Sequence, residues 1–295
     1  MRDVLEDTVH AFVRHQGATL AAALAFYILL AAAPFGVFLV AVVGVVYDEE
    51  LARNELVAGL TQNVGPDVAK DVGAILERAS HGGTTFFATT IGMILFFLAT
   101  SRVFETVRYG LNHVWEVVPI VPAGLKGAGL AVLERRVIAF AMVLFCGFVF
   151  LLFVVLRTTL DVIGAHLREI PFFARLAELV SGWLAITLVT AVVYRRLPDA
   201  SIVWQDALVG AAFTGLLSVF GAAIAGQYVA KIAIESPYGA AGSLVGFLLW
   251  IYYCAQVFFF GAEFTAAWSR HRGDGVHPLA HARRVTVVEH VDETA

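Results

Sequence analysis

Charge is scarce in this chain of 295 residues: Asp, Glu, Lys and Arg make up 15% of it, against about 25% in an ordinary soluble domain. Hydrophobic residues make up 59%. A water-soluble enzyme of this length needs more polar surface than that, so the composition excludes one. Cysteine is scarcer still, with two residues, Cys146 and Cys254. Both fall inside apolar stretches and no CxxC pair accompanies them, which excludes a disulfide framework or a cysteine zinc site as a reading of the sequence. Basic excess is lacking too. The net charge is −4, and nothing in it points to a nucleic-acid partner. GxSxG, Walker A, HxHxDH and HExxH are all missing, so hydrolase, ATPase and metal-nuclease chemistry lack their usual anchors. No cofactor motif is present, and the expectation is a protein that is not an enzyme.

The apolar excess is gathered in blocks. Apolar stretches near 20–47, 84–101, 137–156, 177–194, 207–230 and 243–269, uncharged but for Glu178 and Glu263, each approach the roughly 20 helical residues that cross a bilayer core. The first is far longer than the h-region of a signal peptide and follows eighteen mostly polar residues, so it reads as a span. The expected architecture is therefore all-α, a polytopic membrane bundle of about six transmembrane helices. Lys and Arg number 13 in the N-terminus, 102–136, 195–206 and the C-terminus, against 7 in the alternate segments. That asymmetry places both termini in the cytoplasm.

Outside this membrane domain of residues 19–269, residues 1–18 form a candidate amphipathic helix. Leu5, Val9, Phe12 and Val13 line one side of it, suiting either an interfacial helix or one docked on the bundle. The segment 48–83 carries a helical pattern from Pro66 to Ala79, and 157–178 a smaller one. Residues 270–295 turn polar and read as a mobile cytoplasmic tail. His277 and His281, four apart, suit one helical face, but Pro278 between them favours a solvated tail.

Polar groups in or beside apolar spans are costly and therefore informative. Glu263 is the clearest, set among Phe258, Phe259, Phe260 and Phe264. It is either a proton- or cation-responsive carboxylate in a cavity or a structural partner for Arg102, Arg195 or Arg196. Arg102, Glu105 and Asn112 fall near one helical face, as a polar cluster or a solvated helix end. Pro34 removes a hydrogen bond within the first span, and Pro237, Tyr238, Gly239 and Gly242 open the sixth. These are the candidate helix breaks or gates, with static kinks as the alternative.

An ordered set of short motifs carries a resemblance. Leu20-Ala21-Ala22-Ala23-Leu24-Ala25-Phe26-Tyr27 precedes Ala33-Pro34. Asn112-x-x-Trp115, Tyr194-Arg195-Arg196-Leu197-Pro198, Tyr238-Gly239-Ala240-Ala241-Gly242, Leu249-Trp250-Ile251-Tyr252 and Gly261-Ala262-Glu263 follow. Across roughly residues 8–268 this set resembles the YihY/BrkB family of bacterial inner-membrane proteins, some once labelled ribonuclease BN and others virulence factor BrkB. The resemblance implies a multi-pass inner-membrane protein of about six spans and carries no settled activity. The nuclease label conflicts with the absence of a metal-ligand cluster or basic groove. The leading expectation is a transporter or exporter of a lipid-like or small amphiphilic substrate. Its competitor is a non-transporting scaffold or envelope-integrity protein. Membrane lipids are the expected partners, nucleic acid is not, and homo-oligomerisation is left open.

Overall fold

The computed structural model describes residues 2–46, 85–120, 171–235, 242–273 and 275–285, with 137–142, 144–149, 151–153 and the single positions 57, 58, 61, 73 and 156. The expected helix from Pro66 to Ala79, apart from Gly73, and most of 157–178 lie outside these residues, as do Pro237, Tyr238 and Gly239. The elements are α1 (Arg2–Arg14), α2 (Gly17–Val46), α3 (Thr85–Val114), β1 (Val117–Pro119), α4 (Pro171–Arg196), β2 (Ala200–Ser201), α5 (Trp204–Glu235), α6 (Gly242–Arg272), β3 (His277–Pro278) and β4 (Ala282–Arg284). Helical turns also occupy the described residues between Val137 and Phe153.

The protein is a helical membrane protein. Among the described residues, Leu179–Arg196, Trp204–Ala222 and Leu244–Arg272 are long and apolar enough to cross a bilayer. A fourth is added if α1 and the start of α2 form one broken span. Large apolar side chains such as Leu179, Leu184 and Leu188 of α4 and Leu208 and Leu216 of α5 are exposed, while Thr187, Thr190, Thr214 and Thr265 are buried. That arrangement suits helices bathed in hydrocarbon, where small polar side chains join helix to helix. Two of the buried hydroxyls bond back one turn: Thr214 donates to the Gly210 carbonyl at 2.8 Å and Thr265 to that of Gly261 at 2.7 Å.

The chain forms two compact units. One comprises Met1–Leu20, Val107–Phe220 and Gln256–Ala295, the other Ala21–Thr106 and Gly221–Ala255. In the second, α2 stays helical through Pro34, and Gly221 of α5 lies against Tyr253 of α6 with no room for a Cβ. In the first, glycines bring backbones together: a Cβ on Gly210 would overlap Thr265, one on Gly261 would overlap Thr214, and one on Gly110 would overlap the Phe259 ring.

The segment expected to be a mobile tail is, up to Val285, built into this first unit. β4 pairs antiparallel with β1, Val117 facing Arg284 and Pro119 facing Ala282, and β3 pairs with β2, Ala200 facing Pro278. Val276 and Ala282 are buried there. Two apolar side chains supply the anchor that polar composition hid. Residues 286–295 lie outside the described set.

The close approaches generate a prediction. Gly210→Val should cost about 1–3 kcal/mol, because overpacking forces α5 away from α6. Gly147→Ala, where nothing lies within 4 Å, should be neutral or slightly stabilising. Thermal unfolding in detergent, followed by size-exclusion fluorescence, checks both.

Candidate functional site

Within the first unit, α1 docks through small residues. Val4, Thr8 and Ala11 are its buried face, and Val4 joins Phe264 and Ala267 of α6, with Phe213 and Trp268 packed around them. Phe12 meets Phe260 edge-on at 5.6 Å. Leu5, Val9 and Val13 are exposed, Val13 by 72%, so three of the four apolar residues seen in the sequence lie off the docked face. The same row of positions that carries Val4, Thr8 and Ala11 reaches His15, just past the end of α1.

His15 and Glu263 form the centre of the site. Nδ1 of His15 lies 2.7 Å from Oε1 of Glu263, and the side chains are 1% and 0% exposed. On its other side, Nε2 of His15 lies 3.7 Å from Oε1 of Glu116, a gap too long for a direct hydrogen bond. Among the described residues, His15 Nε2 and Glu263 Oε2 are buried without a hydrogen-bond partner, as are Thr187 Oγ1, Asp206 Oδ2, Trp268 Nε1 and Ser269 Oγ. Such atoms are rare in folded proteins and call for a reason. Glu116 also takes Arg14 at 3.4 Å and is one wall of a cleft of about 660 Å³, lined too by Glu6, Asp7, Arg14, Arg270 and Arg284. A carboxylate, an imidazole and a second carboxylate thus run in series from the cleft to the interior of α6. His113 stands beside them, its ring 5.5 Å from that of His15. Burial, and then the charge of His15, push His113 below the ordinary imidazole value, while Glu116 pulls the other way.

The backbone around this row is unusual. Gln16 and Glu116 have φ of 52° and 54°, the left-handed region that costs a non-glycine residue roughly 1–2 kcal/mol. Each follows the end of a helix, where a left-handed residue turns the chain out. One is the neighbour of His15 in sequence and the other is its neighbour in space.

A second buried carboxylate holds the loop between α4 and α5. Asp199, fully buried, accepts hydrogen bonds from both Nε and Nη2 of Arg108, from Asn112 Nδ2 at 2.7 Å, and pairs with His281 Nε2 at 2.9 Å. Its own backbone N–H donates to Asn112 Oδ1 at 2.8 Å, and its carbonyl accepts from Leu279 N–H at 3.0 Å. Asn112 is therefore used on both amide atoms. Burial opposes the charge of Asp199, but the bonds from Arg108, Asn112 and His281 outweigh it and hold the carboxyl below its ordinary value.

The residues singled out from sequence separate. Glu263 and Asn112 are buried in the first unit, in different networks. Glu263 pairs with His15, not with Arg195 or Arg196. Arg195 lies 5.0 Å over the Trp204 ring, and Arg196 is exposed. Arg102 is exposed and pairs with Glu105 at 3.1 Å, three residues along α3, where a solvated helix end favours the local partner. Pro34 lies within α2 and Gly242 begins α6. His277 pairs backbone with Ser201 in β3 while His281 reaches Asp199, so their spacing of four is not realised on a helix. Among the described residues, no three His, Cys, Asp or Glu side chains gather as a metal ion would need.

Sequence reasoning missed His15, Glu116, Arg108 and Asp199, and it took His281 for part of a solvated tail, whereas its ring reaches Asp199. The signal for His15 was present, since it continues Val4, Thr8 and Ala11 at helical spacing, but the more hydrophobic residues of α1 drew attention to the other side. The Asp199 network predicts an acid-labile fold. The folded value lies below the unfolded one, so the unfolded chain binds more protons on acidification. Its stabilisation is full above the ordinary carboxylate value of about 4 and is lost as pH falls through the lowered value. Asp199→Asn should flatten that acid limb, and Asp199→Ala should cost about 2–3 kcal/mol at neutral pH by stranding Arg108. Unfolding midpoints measured against pH in detergent test both.

The motif residues also explain their own spacing. Trp115 Nε1 donates to the Ala262 carbonyl at 3.4 Å, Tyr194 Oη donates to the Phe258 carbonyl at 2.5 Å, and the Trp115 and Tyr194 rings meet edge-on at 6.1 Å. α3, α4 and α6 are thereby tied together beside Glu263. The family model for virulence factor BrkB matches residues 8–286. A UPF0761 membrane protein of Rhodospirillum centenum is 24% identical over 96% of this chain and 62% of its own length. Another, of Azotobacter vinelandii, is 24% identical over 91% of this chain and 64% of its own. A third, of Chromobacterium violaceum, is 34% identical over 36% of this chain and 26% of its own. The chain spans less than two thirds of the length of these curated relatives. No solved structure matches it. With the ordered motifs and the family match in agreement, the chain belongs to the virulence factor BrkB family of membrane proteins.

Proposed function

We propose that this protein is a proton-responsive transporter or exporter of a lipid-like or small amphiphilic substrate in the bacterial inner membrane. In this reading it crosses the bilayer six times, with both termini in the cytoplasm, and catalyses no covalent reaction. The observation that carries the reading is the series Glu116, His15, Glu263. It joins a cleft of about 660 Å³ to a carboxylate with no exposed surface in a long apolar helix.

A buried ion pair alone is weak evidence of a device, since structural pairs exist. What favours a device is an incomplete pair that continues to the cleft. One oxygen of Glu263 and one nitrogen of His15 are left over among the described residues; Asp206 Oδ2 is left over as well, so the weight falls on the continuation of the Glu263 pair to Glu116 on the cleft. Imidazole accepts a proton on one nitrogen and releases one from the other, so His15 suits passage between Glu116 and Glu263. The 3.7 Å gap to Glu116 has to be closed by a water or a small movement at the left-handed Glu116.

The complete burial of Glu263 favours a second reading, in which the pair only fastens α1 to α6 and the protein is a scaffold. Reconstitution separates them. With a pH step across proteoliposomes, the native protein should pass protons and fluorescent phospholipid. Glu263→Gln should lower both by roughly tenfold or more, and Glu116→Gln should lower them less. The double variant His15→Asn with Glu263→Gln keeps a neutral hydrogen-bonded pair and guards against loss of fold. Full transport by a folded double variant removes the relay, and no flux from native protein at any pH leaves the scaffold reading.

A further inference from the structure

The cleft beside Glu116 has charges of both signs on its walls, and their pairing is uneven. Two of the three carboxylates already have an arginine, and the third has a histidine beside it. Glu6 takes Arg2 at 3.0 Å, Asp7 lies 3.6 Å from His271, and Glu116 takes Arg14 at 3.4 Å. Arg270 and Arg284 line the same cleft, and among the described residues neither has a carboxylate within ion-pair distance. Two guanidinium groups, from the end of α6 and from β4, are thus left on a cleft in which Glu6 and Glu116 already pair with other arginines.

The geometry points to a binding site for a phosphate-type oxyanion held between Arg270 and Arg284. One guanidinium fork satisfies the two oxygens of a carboxylate, while a tetrahedral phosphate offers oxygens to a second fork from another direction. The volume far exceeds inorganic phosphate and lies in the range of small-molecule sites, so the phosphate belongs to a larger molecule. A phospholipid headgroup and a free phosphorylated solute share this chemistry. The inference names the ligand class for the transport reading and rests on it for the role of the site. Equilibrium binding needs no transport, however, so the two fail separately.

The strand that carries Arg284 supplies an internal control. Val285 N–H donates to the Glu116 carbonyl at 2.9 Å, which sets the end of β4 beside the relay. Arg283 is the next residue along β4, facing Val118 where Arg284 faces Val117, so the pleat turns it to the opposite side, and it does not line the cleft. Arg270 also exerts a Coulomb attraction on Glu263, which makes Arg284 the cleaner position to change.

The test is titration of inorganic phosphate into protein purified in phospholipid-free maltoside detergent, followed by calorimetry. Saturable one-to-one binding is expected. Arg284→Gln should weaken it about fivefold or more, Arg284→Lys by less, since charge remains but the fork is lost, and Arg283→Gln should change it by less than about twofold. Repeating the titration in nanodiscs identifies the source: phosphate displaced by phosphatidylglycerol or phosphatidylethanolamine assigns a lipid headgroup, and phosphate undisturbed by either assigns a soluble phosphorylated molecule. Absence of saturable binding overturns the inference. So does equal weakening by Arg283→Gln and Arg284→Gln, or acetate competing as well as phosphate. Phosphate binding by native protein that passes neither protons nor lipid at any pH keeps the site and discards the transport reading.

Discussion

A carboxylate enclosed on all sides in an apolar helix sets the terms for the first unit of this protein. Glu263 cannot stay charged there alone, because a buried unpaired charge is among the costliest groups a fold can hold. Its partner, His15, comes from a position 248 residues away in sequence. Bringing the two together requires α1 to lie close on α6. The small side chains of Thr8 and Ala11 permit that approach, and Thr8 spends its hydroxyl on the Val4 carbonyl at 2.6 Å, so no donor is stranded. Phe12 on Phe260 and Val4 on Phe264 and Ala267 supply the apolar contact. Removing either member of the pair strands the other, so the docking of α1 and the hydrogen bonding of Glu263 depend on each other.

Asp199 repeats the solution with different partners. It too is a fully buried carboxylate, but its partners converge from α3 and from the residues before β4, and they fill it from several sides. The two sites differ in completeness. Asp199 is satisfied by Arg108, Asn112 and His281 and behaves as a fastening. The Glu263 pair retains an unpartnered oxygen and an unpartnered nitrogen. Asp206 Oδ2 is also buried without a partner among the described residues, so what sets the Glu263 pair apart is its continuation through His15 to Glu116 on the cleft.

The helical membrane class was legible because it is written in composition and long uncharged runs, which depend on local sequence alone. The value of Glu263 was legible for the same reason, since its cost arises from its immediate neighbours. Its partner was not. Arg102, Arg195 and Arg196 were sought on charge, and the partner proved to be a histidine at the end of a short helix. Hydrophobicity misled on α1 because a helix of a membrane protein need not turn its most apolar residues to the core: Leu5, Val9 and Val13 are exposed, and small residues make the contact. The strands of two and three residues around 277–284 are too short to show a period-two pattern, and their stability comes from partners at 117–119 and 200–201.

The two left-handed residues connect these observations. Gln16 fixes how the chain leaves His15, and Glu116 fixes where the second carboxylate meets it. Glycine would adopt both conformations at lower cost, yet at 116 glycine would remove the carboxylate that faces His15 and Arg14. The strain at Glu116 is opposed by its backbone: its N–H donates to the His113 carbonyl at 3.1 Å, and its carbonyl accepts from Val285. The second of these bonds makes the pairing of β4 with β1 part of what holds Glu116 beside His15. Strand pairing after α6 therefore does two things at once, holding Glu116 against its preferred backbone conformation and placing Arg284 on the cleft that Glu116 borders. In the proposed reading, an anion drawn to Arg284 would change the electrostatic field at Glu116, and through His15 the charge balance at Glu263, so ligand and proton would be coupled by adjacency without any large movement of the helices.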